Sequence, residues 1–295
     1  MPRLVLGTAR IAEGQGAVAL VRSGLDAGIN HIDTAPSYGM GTAEIVVGRA
    51  IVGYDSVQIT TKLGSIRPAW PWLRTATRQI KRGLMPSAPS SGQLPPEKIT
   101  GSTGNNFALG SMARSAALSY QRLGRIDVLL LHDLAPEELT PAIMDGLADL
   151  ATQHGAQRGY ASYARWNAAY NAIFMPGMIC QCAPDPRWLG GQMAVPEARQ
   201  LWLHSLAKTG FALADSDPEF AESLDRAAAT ITARDPLTAR IAALYALAAE
   251  RLPAARLLIT SSHRDRLDAL LAAIGEIDRT GKADEVAALF TAQAG

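Results

Sequence analysis

In Gly28-Ile29-Asn30-His31-Ile32-Asp33-Thr34-Ala35-Pro36-Ser37-Tyr38-Gly39-Met40-Gly41, a short β-prone segment ends in a carboxylate, and a Pro/Gly-rich turn then carries one tyrosine. Asp is a poor strand residue, so one at a strand's end beside a turn points to function more often than to packing. Few residues separate Asp33 from Tyr38, so both side chains can face one mouth. A second role for Asp33, capping a helix that begins near Thr42, stays open at this level.

Working outward, short apolar runs alternate with helical spacing along the whole chain. Upstream, Arg3 to Leu6 reads as a strand closed by Gly7-Thr8, and Gly16 to Ala27 reads as a helix with Val18, Val21 and Leu25 on one face. Downstream come a helix from Thr42 to Ile51 and a strand from Val57 to Thr61, followed at once by Lys62. From Leu63 to Asn106 the periodicity gives way to a Pro-, Ser- and Gly-rich connection, long enough to point to function or mobility. Phe107 to Leu123 reads as a helix and Asp127 to Leu131 as a strand running into His132-Asp133. A helix over Pro141 to Gln153 precedes a strand from Arg158 to Ala161 that ends at Ser162, and a helix near Arg165 to Phe174 follows. Met178 to Cys182 is a strand carrying Gln181, with a brief helix at Ala194 to Arg199. Leu201 to Leu203 leads into His204-Ser205, and Leu206 to Pro236 reads as a second long, irregular or part-helical stretch. The series closes with a helix (Leu237 to Arg251), a strand (Arg256 to Thr260), Ser261-Ser262 and a helix (Arg264 to Ile274).

Eight β-then-α units in 295 residues predict an α/β chain folded as one (β/α)8 barrel domain over 1–295, with long connections after strands 3 and 7. Buried apolar strands suit a parallel sheet covered on both faces. An open doubly wound sheet is the runner-up. It wants a glycine-rich phosphate turn directly after the first strand, and Gly14-Gln15-Gly16 lies too far downstream and is too sparse.

Composition narrows the partners. The formal net charge is +1, apolar residues make up 48% and charged ones 19%, with the signs interspersed. No basic stripe points to nucleic acid or an anionic membrane, and no apolar run has transmembrane length. Met1 to Arg10 shows no signal-peptide pattern, so the expectation is a cytoplasmic protein, acting as a monomer or a dimer. Cys180 and Cys182 lie two apart on a strand, near the limit for an unstrained disulfide and too few for a zinc site. They read as reduced packing residues, and no metal is expected.

The polar residues carry the function. Thr8, Asp33, Lys62, His132, Ser162, Gln181, His204-Ser205 and Ser261-Ser262 fall at the C-terminal ends of successive predicted strands, which a barrel gathers on one rim. A phenol titrates near ~10, and a neighbouring ammonium lowers that value. Asp33 would keep Lys62 charged and oriented, and His132 would aim at the phenol of Tyr38 or at a substrate oxygen. The product is a general acid beside a carbonyl oxygen, as hydride addition requires. Two blander readings stand beside it: Lys62 as a Schiff-base amine and His132 as a core histidine. His31, His154 and His263 are assigned to packing.

At Leu6-Gly7-Thr8-Ala9, at Gly28 to Gly39, at Ile59-Thr60-Thr61-Lys62, at Leu130-Leu131-His132-Asp133 and at Gly159-Tyr160-Ala161-Ser162 the chain resembles the aldo-keto reductase superfamily. The resemblance extends to Gln181 and to the last strand and helix. It implies a barrel that binds NADP(H) along its rim, acts on a small-molecule aldehyde, ketone or sugar, and uses Tyr38 as general acid/base with Asp33, Lys62 and His132. It also implies that Gly7, Thr8, Ala9 and Asp33 line the cofactor and that Ser162 and Gln181 hold the nicotinamide carboxamide. His204 stands where the family usually has a ring-stacking tyrosine, and Ser205, Leu206 and Gly210 match the pyrophosphate loop. Ser261, Ser262 and Arg266 match the 2′-phosphate site at a helix N-terminus, favouring NADP(H) over NAD(H).

The chain also departs from the family pattern. Tyr163 replaces the usual asparagine, Thr260 stands where many members have lysine, and Ala269 and Leu270 replace the Glu-Asn pair that reads the adenine. These departures motivate a second reading, a nicotinamide-nucleotide-binding regulatory protein or pseudoenzyme with little turnover. The chain starts almost at its first strand, so the hairpin that plugs the barrel bottom in the family is expected to be absent or trimmed. The wording of Leu129 to Leu134 is similar to a branch that oxidises free sugars or pyridoxal, which leaves the direction of reaction open. Trp70 and Trp72 either wall the substrate pocket or pin the long connection to the barrel; a neutral substrate is the default.

Overall fold

Alternation along eight short strands decides which side chains fill the barrel. The computed structural model describes residues 3–11, 13–68, 105–134, 138–165, 177–192 and 200–290, with side chains 163–165 excepted. The expected helix at 165–174 beyond its first residue, which belongs to a strand, the expected helix at 194–199, and Trp70 and Trp72 lie outside the described residues. The strands are β1 (Leu4–Gly7), β2 (His31–Asp33), β3 (Gln58–Leu63), β4 (Val128–His132), β5 (Gln157–Arg165), β6 (Ile179–Ala183), β7 (Gln200–Leu203) and β8 (Arg256–Ile259). All pair in parallel, each with its sequence neighbours, and β1 pairs β8 to close the barrel. The closure runs in register, Leu4 opposite Leu257 and Leu6 opposite Ile259.

The helices described are α1 (Ala17–Asp26), α2 (Ala43–Ala50), α3 (Leu109–Leu123), α4 (Pro141–His154), α5 (Pro186–Leu189), α6 (Leu206–Ser216), α7 (Pro218–Ala229), α8 (Pro236–Arg251), α9 (Arg264–Thr280) and α10 (Ala283–Ala288). The stretch 206–236, read as irregular or part-helical, is two full helices. The second of these shares one start signal with three other helices: Thr140, Asp185, Asp217 and Asp235 each accept a bond from a backbone N–H of the first turn, and a proline follows each. The cap satisfies an orphan donor, proline pre-sets the first helical φ, and such caps contribute about 1 kcal/mol apiece. β5 also outruns its expected end at Ser162, continuing through a register shift to Arg165.

Period-2 alternation sends odd and even positions of each strand to opposite faces. Outward residues such as Leu6, Ile32, Ile59, Leu129, Leu131, Cys180, Cys182, Leu201 and Leu203 pack against the helices in one large cluster. Cys180 and Cys182 are buried, unlinked thiols within it. Inward residues Val5, Val128, Leu130, Ala161, Ile179, Trp202 and Leu258 form a separate cluster that fills the lumen.

Polar groups lie below and above that plug. At the bottom, His31 Nδ1 accepts from Arg256 Nη1 at 2.8 Å and its Nε2 donates to Thr60 Oγ1 at 2.7 Å, while the ring meets Trp202 edge-on at 4.8 Å. Burial, then the charge of Arg256, lower the His31 pKa to about 3. The core role assigned to His31 matches this placement.

A second buried polar group binds the outer layer. Glu44, 1% exposed, accepts from Thr61 Oγ1 (2.9 Å), from Ser119 Oγ (2.6 Å) and from Arg67. Arg67 also donates to the Ser115 carbonyl at 3.2 Å. One carboxylate thus ties α2, β3 and α3 to the first residues of the long connection. Across that connection Asn106 N–H returns to the Gly64 carbonyl at 2.8 Å. Gly64 has φ +93°, and a Cβ there would meet the Phe107 ring at 2.0 Å, so glycine alone permits the closure.

The neutral His31 leaves a pH signature. Its unfolded-state imidazole takes a proton near pH 6.5, whereas the folded one does so only near 3. The unfolded state therefore binds the extra proton within that window, and stability is lost as pH falls through it. We expect urea unfolding of His31→Gln between pH 4 and 6.5 to show a pH slope shallower than wild type by about one proton; equal slopes would contradict the assignment.

Candidate functional site

Tyr38 is set by a turn that its glycines make possible. Tyr38–Gly41 form one 3-10 turn in which Gly39, Met40 and Gly41 have φ of 56°, 61° and 92°. Glycine adopts such angles freely, and Met40 does so at a cost of about 1 to 3 kcal/mol. Thr42 holds the turn, its Oγ1 donating to the Gly39 carbonyl at 2.7 Å and accepting from Glu13 N–H at 2.8 Å.

Beneath the turn, Asp33 and Lys62 form an ion pair out of contact with water, 2% and 0% exposed. Lys62 Nζ donates to Asp33 Oδ1 at 2.8 Å, to Oδ2 at 2.7 Å and to the Thr34 carbonyl at 3.0 Å. Asp33 Oδ1 also accepts from Gln181 Nε2 at 2.8 Å. Burial pulls the Lys62 pKa down, but Asp33 and Tyr38 more than offset it, and the net direction is up. A lysine held charged is a poor Schiff-base nucleophile, which argues against that reading.

The ammonium lies 4.6 Å from the centre of the Tyr38 ring. Burial raises the phenol pKa; the charge and hydrogen bonding of Lys62 pull it back, and Asp33 pushes it up again. The net direction is upward. The expected lowering by an ammonium is thus outweighed, because Tyr38 is desolvated and the charge of Lys62 is already paired. His132 meets Tyr38 edge-on, ring centres 5.6 Å apart. Burial, then the charges of Lys62 and His204, lower the His132 pKa to about 3, so it is a neutral imidazole at the mouth. Asp33, Tyr38, Lys62 and His132 therefore meet at one end of the barrel.

The remaining expected residues fall into two groups. His204 reaches the same end: its Nε2 donates to the Ser162 carbonyl at 2.7 Å and its Nδ1 accepts from Ser205 Oγ at 3.0 Å. A carbonyl can only accept, so the Nε2 tautomer is fixed. Ser162 and Gln181 are buried on neighbouring strands, and Ser205, with φ +56°, starts α6 without a side-chain cap. Ser262 and Arg266 are exposed at the start of α9, which also lacks a side-chain cap, while Ser261 is hydrogen-bonded to His263.

Others serve packing or backbone. Thr8 Oγ1 donates to the Asp33 carbonyl at 3.0 Å, and Ala9 is exposed. A Cβ on Gly7 would meet Thr260 Oγ1 at 2.5 Å. One on Gly210 would meet the Leu244 side chain at 2.5 Å, so Gly210 sits in the α6–α8 contact. Leu206 is buried at 1% exposure. Among the described residues no cluster of three or more His, Cys, Asp or Glu is placed to hold a metal ion, and no helix is long and apolar enough to cross a membrane.

Two residues at the mouth were not singled out from the sequence. Asn105, the last residue but one of the long connection, donates from Nδ2 to the carbonyls of His132 (2.8 Å) and Asp133 (3.3 Å). Asp133 has φ +52°, and its Oδ2 lies 3.6 Å from His132 Nε2. A side chain that donates to backbone from the end of a stretch without periodicity leaves no sequence pattern. The His132-Asp133 dipeptide was visible after the fourth strand, but only His132 was given a role.

Comparison with known proteins places this site in context. The model of the "Aldo/keto reductase family" matches residues 3–160. A curated relative, aldo-keto reductase YhdN of Bacillus subtilis (strain 168), is 47% identical over 49 residues; the match spans 16% of this chain and only 15% of that protein's length. Among solved structures, a glycerol dehydrogenase from Gluconobacter oxydans superposes with a TM-score of 0.60 at 16% identity, covering 97% of this chain and 91% of its own. An aldo-keto reductase from Klebsiella pneumoniae, solved in complex with NADPH, gives 0.60 at 20% identity with the same two coverages. At these identities the superpositions speak to the fold.

The electrostatics predict how His132 titrates. Its imidazole NMR shifts should remain those of a neutral ring from pH 8 down to about 4, because burial opposes charging. Lys62→Met should raise the midpoint without restoring 6.5, since burial is the larger cause. A wild-type titration near 6.5 would contradict this environment.

Proposed function

The chain belongs to the aldo/keto reductase family, and from that membership we propose that it is an NADP(H)-dependent oxidoreductase interconverting an aldehyde, ketone or sugar carbonyl and its alcohol. The observation that carries the reading is the Tyr38 phenol flanked by a buried, paired ammonium and a neutral imidazole. Tyr38 is the general acid/base, Lys62 and Asp33 set its proton affinity, and His132 donates to the substrate oxygen.

The residues of the rim fit a phosphorylated dinucleotide. Two helix N-termini, those of α6 and α9, lack side-chain caps and suit anions, and Arg266 stands beside the second. Ser162, Gln181 and the fixed ring of His204 offer a polar edge and a flat face for the nicotinamide, which supplies the hydride when bound. In reduction, the Tyr38 hydroxyl gives its proton to the carbonyl oxygen as the carbon is reduced, and His132 holds that oxygen. In oxidation, Tyr38 must first lose its proton. Because the Tyr38 pKa is raised above the ordinary 10, the protonated form prevails at neutral pH and favours reduction there.

Tyr38→Phe should lower kcat for a model aldehyde by about 10²- to 10⁴-fold while leaving NADPH binding, read by its fluorescence, unchanged. Wild-type oxidation of an alcohol should rise steadily into the alkaline range while reduction stays flat through neutrality. Undiminished turnover by Tyr38→Phe would sink the role of Tyr38. Binding of NADPH by wild type with no turnover across an aldehyde and sugar panel would instead favour the low-turnover nucleotide-binding protein that Ala269 and Leu270 suggest.

A further inference from the structure

β4 ends in a residue that strand alternation would send outward. His132 faces the lumen, so Asp133 in a regular strand would point to the helix layer. It does not: its φ of +52° breaks the alternation, and its carboxylate lies beside the His132 ring. The turn is pinned on both sides: Asp133 N–H donates to the Ala161 carbonyl at 2.8 Å, and Asn105 Nδ2 donates to the carbonyls of His132 and Asp133. A left-handed aspartate costs about 1 to 3 kcal/mol, and such conformations cluster at ligand sites.

Asp133 differs from Asp33 in what can reach it. The Asp33 side chain is 2% exposed, whereas that of Asp133 is 32% exposed. Its Oδ2 lies 3.6 Å from Nε2 of His132, the residue that on the reading above holds the substrate oxygen. Asp133 also bears on the phenol, since its charge pushes the Tyr38 pKa up.

We propose, on the carbonyl-reductase reading above, that Asp133 determines specificity by accepting a hydrogen bond from a hydroxyl on the carbon next to the reacting carbonyl. The preferred substrates are then α-hydroxy aldehydes and ketones, the class that includes open-chain sugars, over plain alkyl carbonyls. A hydroxyl is the fitting donor on electrostatic grounds. Partial burial raises the Asp133 pKa to about 6, so a donor that supports its carboxylate is favoured, while the nearby Lys62 charge disfavours a cationic substrate.

The test compares lactaldehyde with propanal, which differ by that hydroxyl. For wild type, Asp133→Asn and Asp133→Ala, the ratio of kcat/KM values is measured with NADPH. A hydrogen bond to a charged acceptor corresponds to a ratio about tenfold or more higher in wild type than in Asp133→Ala, expressed in KM. Asp133→Asn, which keeps an acceptor oxygen without the charge, should fall between them. Comparing ratios cancels aldehyde hydration and any general loss of activity. Turnover of propanal with the same ratio in all three proteins overturns the assignment of Asp133 and leaves the carbonyl chemistry standing. Turnover of neither aldehyde by wild type overturns the underlying reading and this assignment with it.

Discussion

An ammonium and a carboxylate sealed inside the barrel constrain everything above them. Removing two such charges from water costs several kcal/mol per ion, a cost that only near-complete pairing offsets. The Lys62 ammonium donates to both Asp33 oxygens and to the Thr34 carbonyl, and Asp33 takes a further bond from Gln181 across the lumen. The pair therefore has one geometry, and its position fixes the ends of β2, β3 and β6 relative to one another. Tyr38 rests on the ammonium, and His132 rests against Tyr38.

The same low dielectric decides the proton affinities. Two imidazoles, His31 at the bottom and His132 at the top, are both driven neutral by burial and neighbouring positive charge, although one lies in the floor and the other in the mouth. The mouth thus combines a fixed cation, a neutral donor and a phenol held in its acid form. Such an arrangement stabilises charge developing on an oxygen without needing to reorganise.

Much of this was legible in the sequence because a parallel barrel is positional. Polar residues at strand ends, Asp33, Lys62, His132 and Gln181 among them, need only the β/α alternation to be placed on one rim. What escaped notice arose where local geometry overrides the pattern. Asp133 departs from period 2 through one left-handed residue, and Asn105 acts from the end of a segment without periodicity. The rise in the Tyr38 pKa depends on how much water is excluded, which spacing does not encode. The helices at 206–229 were under-read because the first starts at Ser205 without a side-chain cap and the Asp217-Pro218 start of the second lies inside a stretch that looked broken.

The seam between β1 and β8 has a kinetic consequence. Leu4 pairs with Leu257, so the first strand finds its second neighbour only after nearly the whole chain is available. Contacts of such sequence separation are paid for in chain entropy before they yield any packing, which makes closure a late and slow event. Until then β1 and β8 are open sheet edges, the kind of surface through which one polypeptide recruits another into aggregates.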